Sequence, residues 1–151
     1  QDIQDDSIPK VSLADGGSVK VIAGSFQHGN QTIIGPIHGI STAPVFLDVH
    51  LPPNADFEYP LAKELNAFVY TYEGGLEIGS PSKAAPKQAA IVLGEGDQLK
   101  VKAGAEDAQF IVLAALPLRE PIVQYGPFVM NTRAEIEQAI DDYQNNRFVV
   151  S

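Results

Sequence analysis

Few residues in this chain have the chemistry to hold a metal or move a proton. Three histidines, His28, His38 and His50, all lie in the first third of the sequence, and cysteine is absent. A mononuclear oxygen-activating centre needs imidazole and carboxylate ligands converging on one ion, with positions left open for substrate. No His-x-His occurs, and the stretch before Gly74 offers Tyr59, Leu61, Lys63 and Asn66 but no histidine. After Gly94-Glu95-Gly96 the chain continues with Gln98, Leu99 and Lys100. The residues therefore predict no catalytic, cofactor-binding or metal-binding set in this chain.

Each candidate also has an ordinary reading. His28 lies in a Gly/Asn turn and is expected in solvent, and His38 follows Gly35-Pro36 at a loop or edge. Asp48 and His50 are two apart, which on a strand puts them on one face, opposite Leu47, Val49 and Leu51. That pair is expected to face solvent or a domain boundary in a structural role, the alternative being adventitious metal binding. Glu73, Glu77, Glu95 and Asp97 cluster near turns, where solvated carboxylates are the rule. Gly94-x-Gly96 lacks the third glycine and helix of a dinucleotide fingerprint, and neither a nucleophile elbow nor a phosphate loop occurs. Ser25 and Ser41 have no catalytic context. Phe68, Tyr70, Tyr72 and Phe110 fit two uses: lining a small-molecule cavity inside a barrel, or core packing.

The elements that must position these residues read mostly as strands. Ser18–Ile22 follows the turn Asp15-Gly16-Gly17, and Gln27-His28-Gly29-Asn30 is a second turn before the apolar Ile33-Ile34. Phe46–Leu51 alternates until Pro52-Pro53-Asn54 stops it. Phe68–Tyr72 turns through Glu73-Gly74-Gly75 into Leu76–Ile78, which predicts a hairpin. Ser80–Lys87 reads as an exposed loop, Ala89–Leu93 and Gln98–Lys102 as strands, and the apolar run Phe110–Ala115 as a strand buried on both sides. Short strands at this spacing predict an antiparallel sandwich or barrel. Near the end, Thr132-Arg133-Ala134-Glu135 has capping-box spacing, and Ile136, Ile140 and Tyr143 make one stripe of a helix over 133–144. That stripe is expected to cover the outside of its own barrel or to dock onto a partner.

At 151 residues the chain is long enough for one compact core. No run approaches the roughly 20 apolar residues of a membrane span. A net charge of −9 gives no basic field to draw in nucleic acid or anionic lipid. Lack of cysteine removes disulfide and thiolate chemistry and fits a reducing compartment. The polar, acidic start at Gln1 is not a signal peptide; a processed terminus and a piece of a longer chain both fit it.

Several segments, in order, resemble the C-terminal domain of the pirin family within the cupin superfamily. They are Ser18–Gly24, Leu47-Asp48-Val49, Asn66–Tyr70 ending in Glu73-Gly74, and the glycine turn Val92–Asp97. Pro117–Pro121 followed by Gln124–Thr132 is the most specific, and Gln138–Tyr143 with Arg147-Phe148 completes the likeness. The resemblance implies an all-β fold, an antiparallel double-stranded β-helix (the cupin or jelly-roll barrel) with one C-terminal α-helix. Residues 1–17 would be an N-terminal extension or interdomain linker, 18–130 the barrel, and 131–151 the helix and tail of the same domain.

It further implies a two-barrel parent in which iron, or another divalent metal, sits in the N-terminal domain on three histidines and a glutamate. The chain itself would bind none, and would be a piece of a longer cytoplasmic protein, or a nuclear one in a eukaryote. Three functions are compatible with the resemblance. One is a structural half of a bicupin, another is part of a quercetin 2,3-dioxygenase, and the third is a regulatory module that binds a protein partner. Partners expected are the parent's N-terminal cupin domain, a second copy of the piece, or a regulatory protein, and neither nucleic acid nor membrane. Surface for such contact is sought at Tyr125, Phe128, Met130, Ile136, Ile140 and Phe148, with the tail running on to Val150.

Overall fold

The computed structural model describes residues 3–149, so Gln1 and Val150 lie outside the described residues. After a single tight turn at Asp5–Ser7, the strands are β1 (Lys10–Ser12), β2 (Ser18–Ala23), β3 (Ser25–His28), β4 (Gln31–Ile34) and β5 (Val45–Leu51). Next come β6 (Asp56–Pro60), β7 (Asn66–Glu73), β8 (Leu76–Ile78), β9 (Lys83–Ala85) and β10 (Ala89–Val92). The last are β11 (Gln98–Ala103), β12 (Ala108–Ala115), β13 (Val123–Tyr125) and β14 (Phe128–Met130), followed by helix α1 (Arg133–Gln144). The chain divides into two compact units, Gln1–Pro117 and Leu118–Ser151.

In the first unit a six-stranded sheet, β1-β2-β5-β12-β7-β10, shares one core with a four-stranded sheet, β6-β11-β8-β9. From β5 to β12 the chain passes repeatedly from one sheet to the other, and every strand pair is antiparallel. This is the expected double-stranded β-helix. Its cause is legible in the period-two pattern. Val19 and Val21, Leu47, Val49 and Leu51, Val69 and Thr71, and Phe110 and Val112 all point inward, as do Phe57 and Tyr59, and Leu99 and Val101. Each large apolar side chain so buried contributes about 1.5–3 kcal/mol.

Four local expectations change. Phe68–Tyr72 and Leu76–Ile78 do not form a hairpin: β7 pairs with β12 and β10, whereas β8 pairs with β11 and β9. Gly74 is the corner between sheets. It has φ +65°, and a Cβ there would lie 2.2 Å from the Asp107 carbonyl oxygen, so no side chain fits. Splitting the strands between two sheets lets the inward residues of both reach the same core. The Ser80–Lys87 loop contains β9, whose Ala85 is buried. Strand β6 goes unassigned in the sequence reading because prolines flank it, although Phe57 and Tyr59 alternate inward. Strand β12 is closed on one face and half-open on the other, not buried on both.

Strand β1 adds an edge to the six-stranded sheet and sends Val11 into the core, so residues within 1–17 take part in the first unit. In the second unit β13 and β14 pair through Gly126-Pro127, and α1 rests on that ribbon. The helix is capped as expected: the Thr132 N–H donates to Glu135 Oε2 at 2.7 Å, and the Glu135 N–H donates to Thr132 Oγ1 at 3.3 Å. No helix of the described residues is long and apolar enough to cross a membrane.

Candidate functional site

Where a barrel of this kind could enclose a ligand, the interior is filled by aromatic rings. Phe26 on β3 stacks on Phe57 at 6.1 Å between centroids and on Tyr59 at 6.3 Å, within a few degrees of parallel. Phe57 meets Phe110 edge-on at 5.8 Å. The Tyr59 hydroxyl donates to the Ser25 carbonyl at 2.8 Å, and burial pushes its pKa up. Offset and edge-on pairs of this kind add about 0.5–1.5 kcal/mol each beyond the area they bury.

The remaining positions at which ligands were sought serve packing or surface pairing. Leu61 and Leu99 are buried. Lys63 lies 3.8 Å from Asp97, and Gln98 and Lys100 both reach Glu58, at 2.8 and 3.4 Å. Beside them a depression of about 340 Å³ opens between the β11 turn and the Leu61–Leu65 segment, walled by Leu61, Leu65, Ile78 and Leu93 with Glu95 and Lys100 at its rim.

The histidines stand on separate elements. His28 ends β3 in an exposed hairpin. Nδ1 of His38 sits 3.1 Å from the Gly35 carbonyl, which can only accept, so that nitrogen carries the proton. His50 Nε2 is 3.9 Å from Asp107 Oδ1. Asp48 does share the outer face of β5 with His50, yet its partner is different: Tyr72 donates to Asp48 Oδ1 at 2.6 Å. Burial, and then the hydrogen bond to that carboxylate, raises the Tyr72 pKa well above its ordinary value. The turn carboxylates also diverge, Glu73 to Lys87 at 2.8 Å and Glu77 to Ser82 at 3.3 Å. Among the described residues no three His, Cys, Asp or Glu side chains gather closely enough to hold a metal ion. The donor set does not fit the iron that the resemblance implies for a two-barrel parent.

The four aromatic residues assigned to a cavity or core separate. Phe110 is fully buried, but Phe68, Tyr70 and Tyr72 lie on the outer face of β7, because the inward positions of that strand are Val69 and Thr71. Thr71, the buried polar residue of the core, lies 2.6 Å from the Pro86 carbonyl and accepts from the Ala89 N–H at 3.1 Å, tying that loop to β7.

In the second unit Ile136 and Ala139 are the buried helix residues, Ile140 is half-buried, and Tyr143 is 68% exposed. The buried spacing is therefore three residues, and the stripe does not extend to Tyr143, because a two-stranded ribbon is too narrow to cover it. Phe148 brings the tail back, with its ring 5.6 Å from Phe128 and 6.5 Å from Tyr143. Phe128 and Met130 on β14 are half-buried, and Tyr125 is exposed. Arg147 holds the same turn through Asp141 at 2.5 Å and Asp142 at 3.4 Å.

One feature escaped the sequence reading. Phe46, Leu113, Phe68 and Val92 lie directly opposite one another across β5, β12, β7 and β10, on the outer face of the large sheet. Their cross-strand register, invisible before the strands were paired, makes them one apolar row.

Comparison with known proteins agrees with this architecture. The family described as the pirin C-terminal cupin domain matches residues 46–149. A pirin-like protein of Caulobacter vibrioides is 40% identical over 149 residues, covering 98% of this chain and 51% of that protein. Pirin of Homo sapiens is 38% identical, covering 96% of this chain and 49% of its own length. The crystal structure of a quercetin 2,3-dioxygenase from Acinetobacter baumannii superposes with a TM-score of 0.81 at 31% identity, covering 98% of this chain and 50% of that one. The chain thus spans about half the length of these relatives.

Proposed function

The chain belongs to the pirin family, as a C-terminal cupin domain, and from that premise we propose that it is the structural half of a two-barrel protein whose other barrel carries the metal. The observation that carries this reading is the aromatic interior: Phe26, Phe57, Tyr59 and Phe110 are buried and pack ring against ring in the core, where an enclosed ligand would need open space. A packed interior resists opening, since removing a buried ring costs about 3–5 kcal/mol. Such a barrel contributes a rigid body and not a reaction chamber. Its work is to complete and stabilise the parent and to help close the active site of the other half.

For the parent, the likeness to a quercetin 2,3-dioxygenase at 31% identity supports dioxygen-dependent cleavage of a quercetin-type flavonol. That chemistry would require a metal with histidine and carboxylate ligands; our reading puts it in the N-terminal barrel, as the family resemblance implies, and the lack of a gathered donor set among the described residues of this chain supports that reading. The test is anaerobic loading of the natural gene product and of this chain with ferrous iron, followed by desalting, metal analysis and quercetin-dependent oxygen uptake. The expected result is about one iron per parent molecule and none retained by this chain, with turnover by the parent alone. One tightly held iron on this chain, accompanied by turnover, would overturn the proposal.

A further inference from the structure

Gly94 and Gly96 border the depression of about 340 Å³ before β11, and the fold gives no reason for either to be glycine. Neither lies in the left-handed region, and a Cβ on either would meet nothing within 4 Å. Gly74 is the contrast, since its φ of +65° and a backbone oxygen 2.2 Å from a Cβ exclude any side chain. A glycine free of both demands still costs chain entropy on folding, and its remaining use is to let something approach the backbone closely. Within the chain nothing does so. Among the described residues no group accepts a hydrogen bond from the N–H of Gly94, Glu95 or Gly96.

Every residue around the depression falls between Leu61 and Lys100, so the first unit builds it alone. Its walls are apolar: Leu61, Ile78 and Leu99 are buried, and Leu65 and Leu93 pack against the same core. The stacked rings of the interior do not line it. Its rim is polar, and most of the charge there is already matched. Lys63 lies 3.8 Å from Asp97 and Lys100 lies 3.4 Å from Glu58, while Gln98 donates to Glu58 at 2.8 Å. The side chains of Glu95 and Ser80 are left without a partner among the described residues.

Small-molecule sites are mainly apolar hollows of about 300–1,000 Å³ with a few polar groups that fix orientation. This depression stands at the small end, the size of one substituted ring. An anion would meet Glu95 and Asp97 at the rim, and a cation would leave the backbone donors unanswered. Free donors beside free acceptors suit a group that both gives and takes a hydrogen bond, as a hydroxyl does. We propose that the depression is a binding site for a neutral, hydroxylated ring compound. The ring lies against Leu61, Leu65 and Leu93, and its hydroxyls meet Glu95 and the bare backbone around it. No bond is made or broken there, and the site needs nothing from a second barrel, so it stands or falls apart from the two-barrel reading.

Glycine amides report on the site directly. The natural gene product, isotopically labelled at its glycine nitrogens, is titrated with resorcinol and followed by nuclear magnetic resonance. The amide signals of Gly79, Gly94 and Gly96 are compared with those of Gly16 and Gly29, which line no part of the depression. Saturable shifts are expected at the first three across the millimolar range, and none at the two controls. The dimethyl ether of resorcinol keeps the ring but cannot donate, and benzoate and benzylammonium add charge; each should bind at least ten-fold more weakly. Gly96→Leu, whose Cβ would meet nothing in the fold, should weaken resorcinol at least ten-fold, read at Gly79 and Gly94, with the control signals in place. Glu95→Ala should weaken it several-fold. No saturable shift at Gly94 and Gly96, or binding that survives Gly96→Leu unchanged, would overturn the site. Equal or tighter binding of the ether, benzoate or benzylammonium would overturn the ligand class, and the proposal with it.

Discussion

On β7 and β12 the inner face carries Val69, Thr71, Phe110 and Val112, all closed to solvent, while the outer face of the same strands carries Phe68, Tyr70, Ile111 and Leu113, all partly open. The two faces are similarly apolar. What separates them is the neighbour each one has. The four-stranded sheet lies against the inner face, whereas the apolar end of the outer one walls an open depression of about 520 Å³. Hydrophobicity along a strand therefore marks what is to be buried and leaves open by what. The inner face specifies the fold, and the outer face keeps its apolar residues partly in water.

The largest expected effect tests the two faces against each other. Phe110→Ala removes a fully buried ring from the Phe57 contact and should cost about 3–5 kcal/mol in urea unfolding. Leu113→Ala on the outer face should cost clearly less, because that side chain is only half-buried. Equal losses in this chain would break the comparison.

Next in size is the corner that places β7 and β8 in different sheets. Gly74→Ala puts a methyl 2.2 Å from a backbone oxygen at a φ of +65°, and neither side can yield cheaply. A loss of about 2 kcal/mol or more is expected in the same assay, and a neutral result would mean that this corner does not direct the crossover.

A smaller effect sharpens the polar part of the outer face. Tyr72→Phe deletes the hydrogen bond to Asp48 and should cost about 1 kcal/mol near neutrality. The Tyr72 pKa is raised in the folded chain, mainly by burial and then by the bond to Asp48, while the unfolded chain releases that proton near pH 10. The stabilisation is thus fully present below about pH 10 and declines as pH rises above it. Unfolding curves from pH 8 to 11 should slope less in the Phe variant, and identical slopes would remove Tyr72 from the alkaline transition.

The smallest effect lies in the second unit. Hydrogen bonds from the Thr132 side chain and backbone hold the Glu135 carboxylate below its ordinary pKa. The cap is therefore present above the unfolded carboxylate value and weakens as pH falls through the folded one. Thr132→Ala should lower the helical signal in circular dichroism modestly at pH 7 and make it less dependent on pH below 5. A signal unchanged at both pH values would show that the capping box does not hold α1.

Much of the fold was legible because period-two alternation is a local property. Leu47, Val49 and Leu51 face the core as their spacing predicts, and Thr132 and Glu135 close the cap that their spacing predicts. The hairpin assigned to Phe68–Ile78 went wrong because a glycine corner and a hairpin turn look alike in sequence. They differ in which distant strand supplies the hydrogen bonds. The apolar row was hidden for the same reason: Phe46, Phe68, Val92 and Leu113 are up to 67 positions apart in the sequence, and only strand register makes them neighbours.

By itself the sequence determined the family, the all-β class, the capped terminal helix and the scatter of histidines over unrelated segments, since each depends on residue identity and short spacing. Tertiary structure alone decided that Phe26, Phe57, Tyr59 and Phe110 stack into one plug, and which face of the large sheet was left open. Those outcomes depend on contacts between residues far apart in the chain, whose geometry is settled only when the two sheets close on a common core.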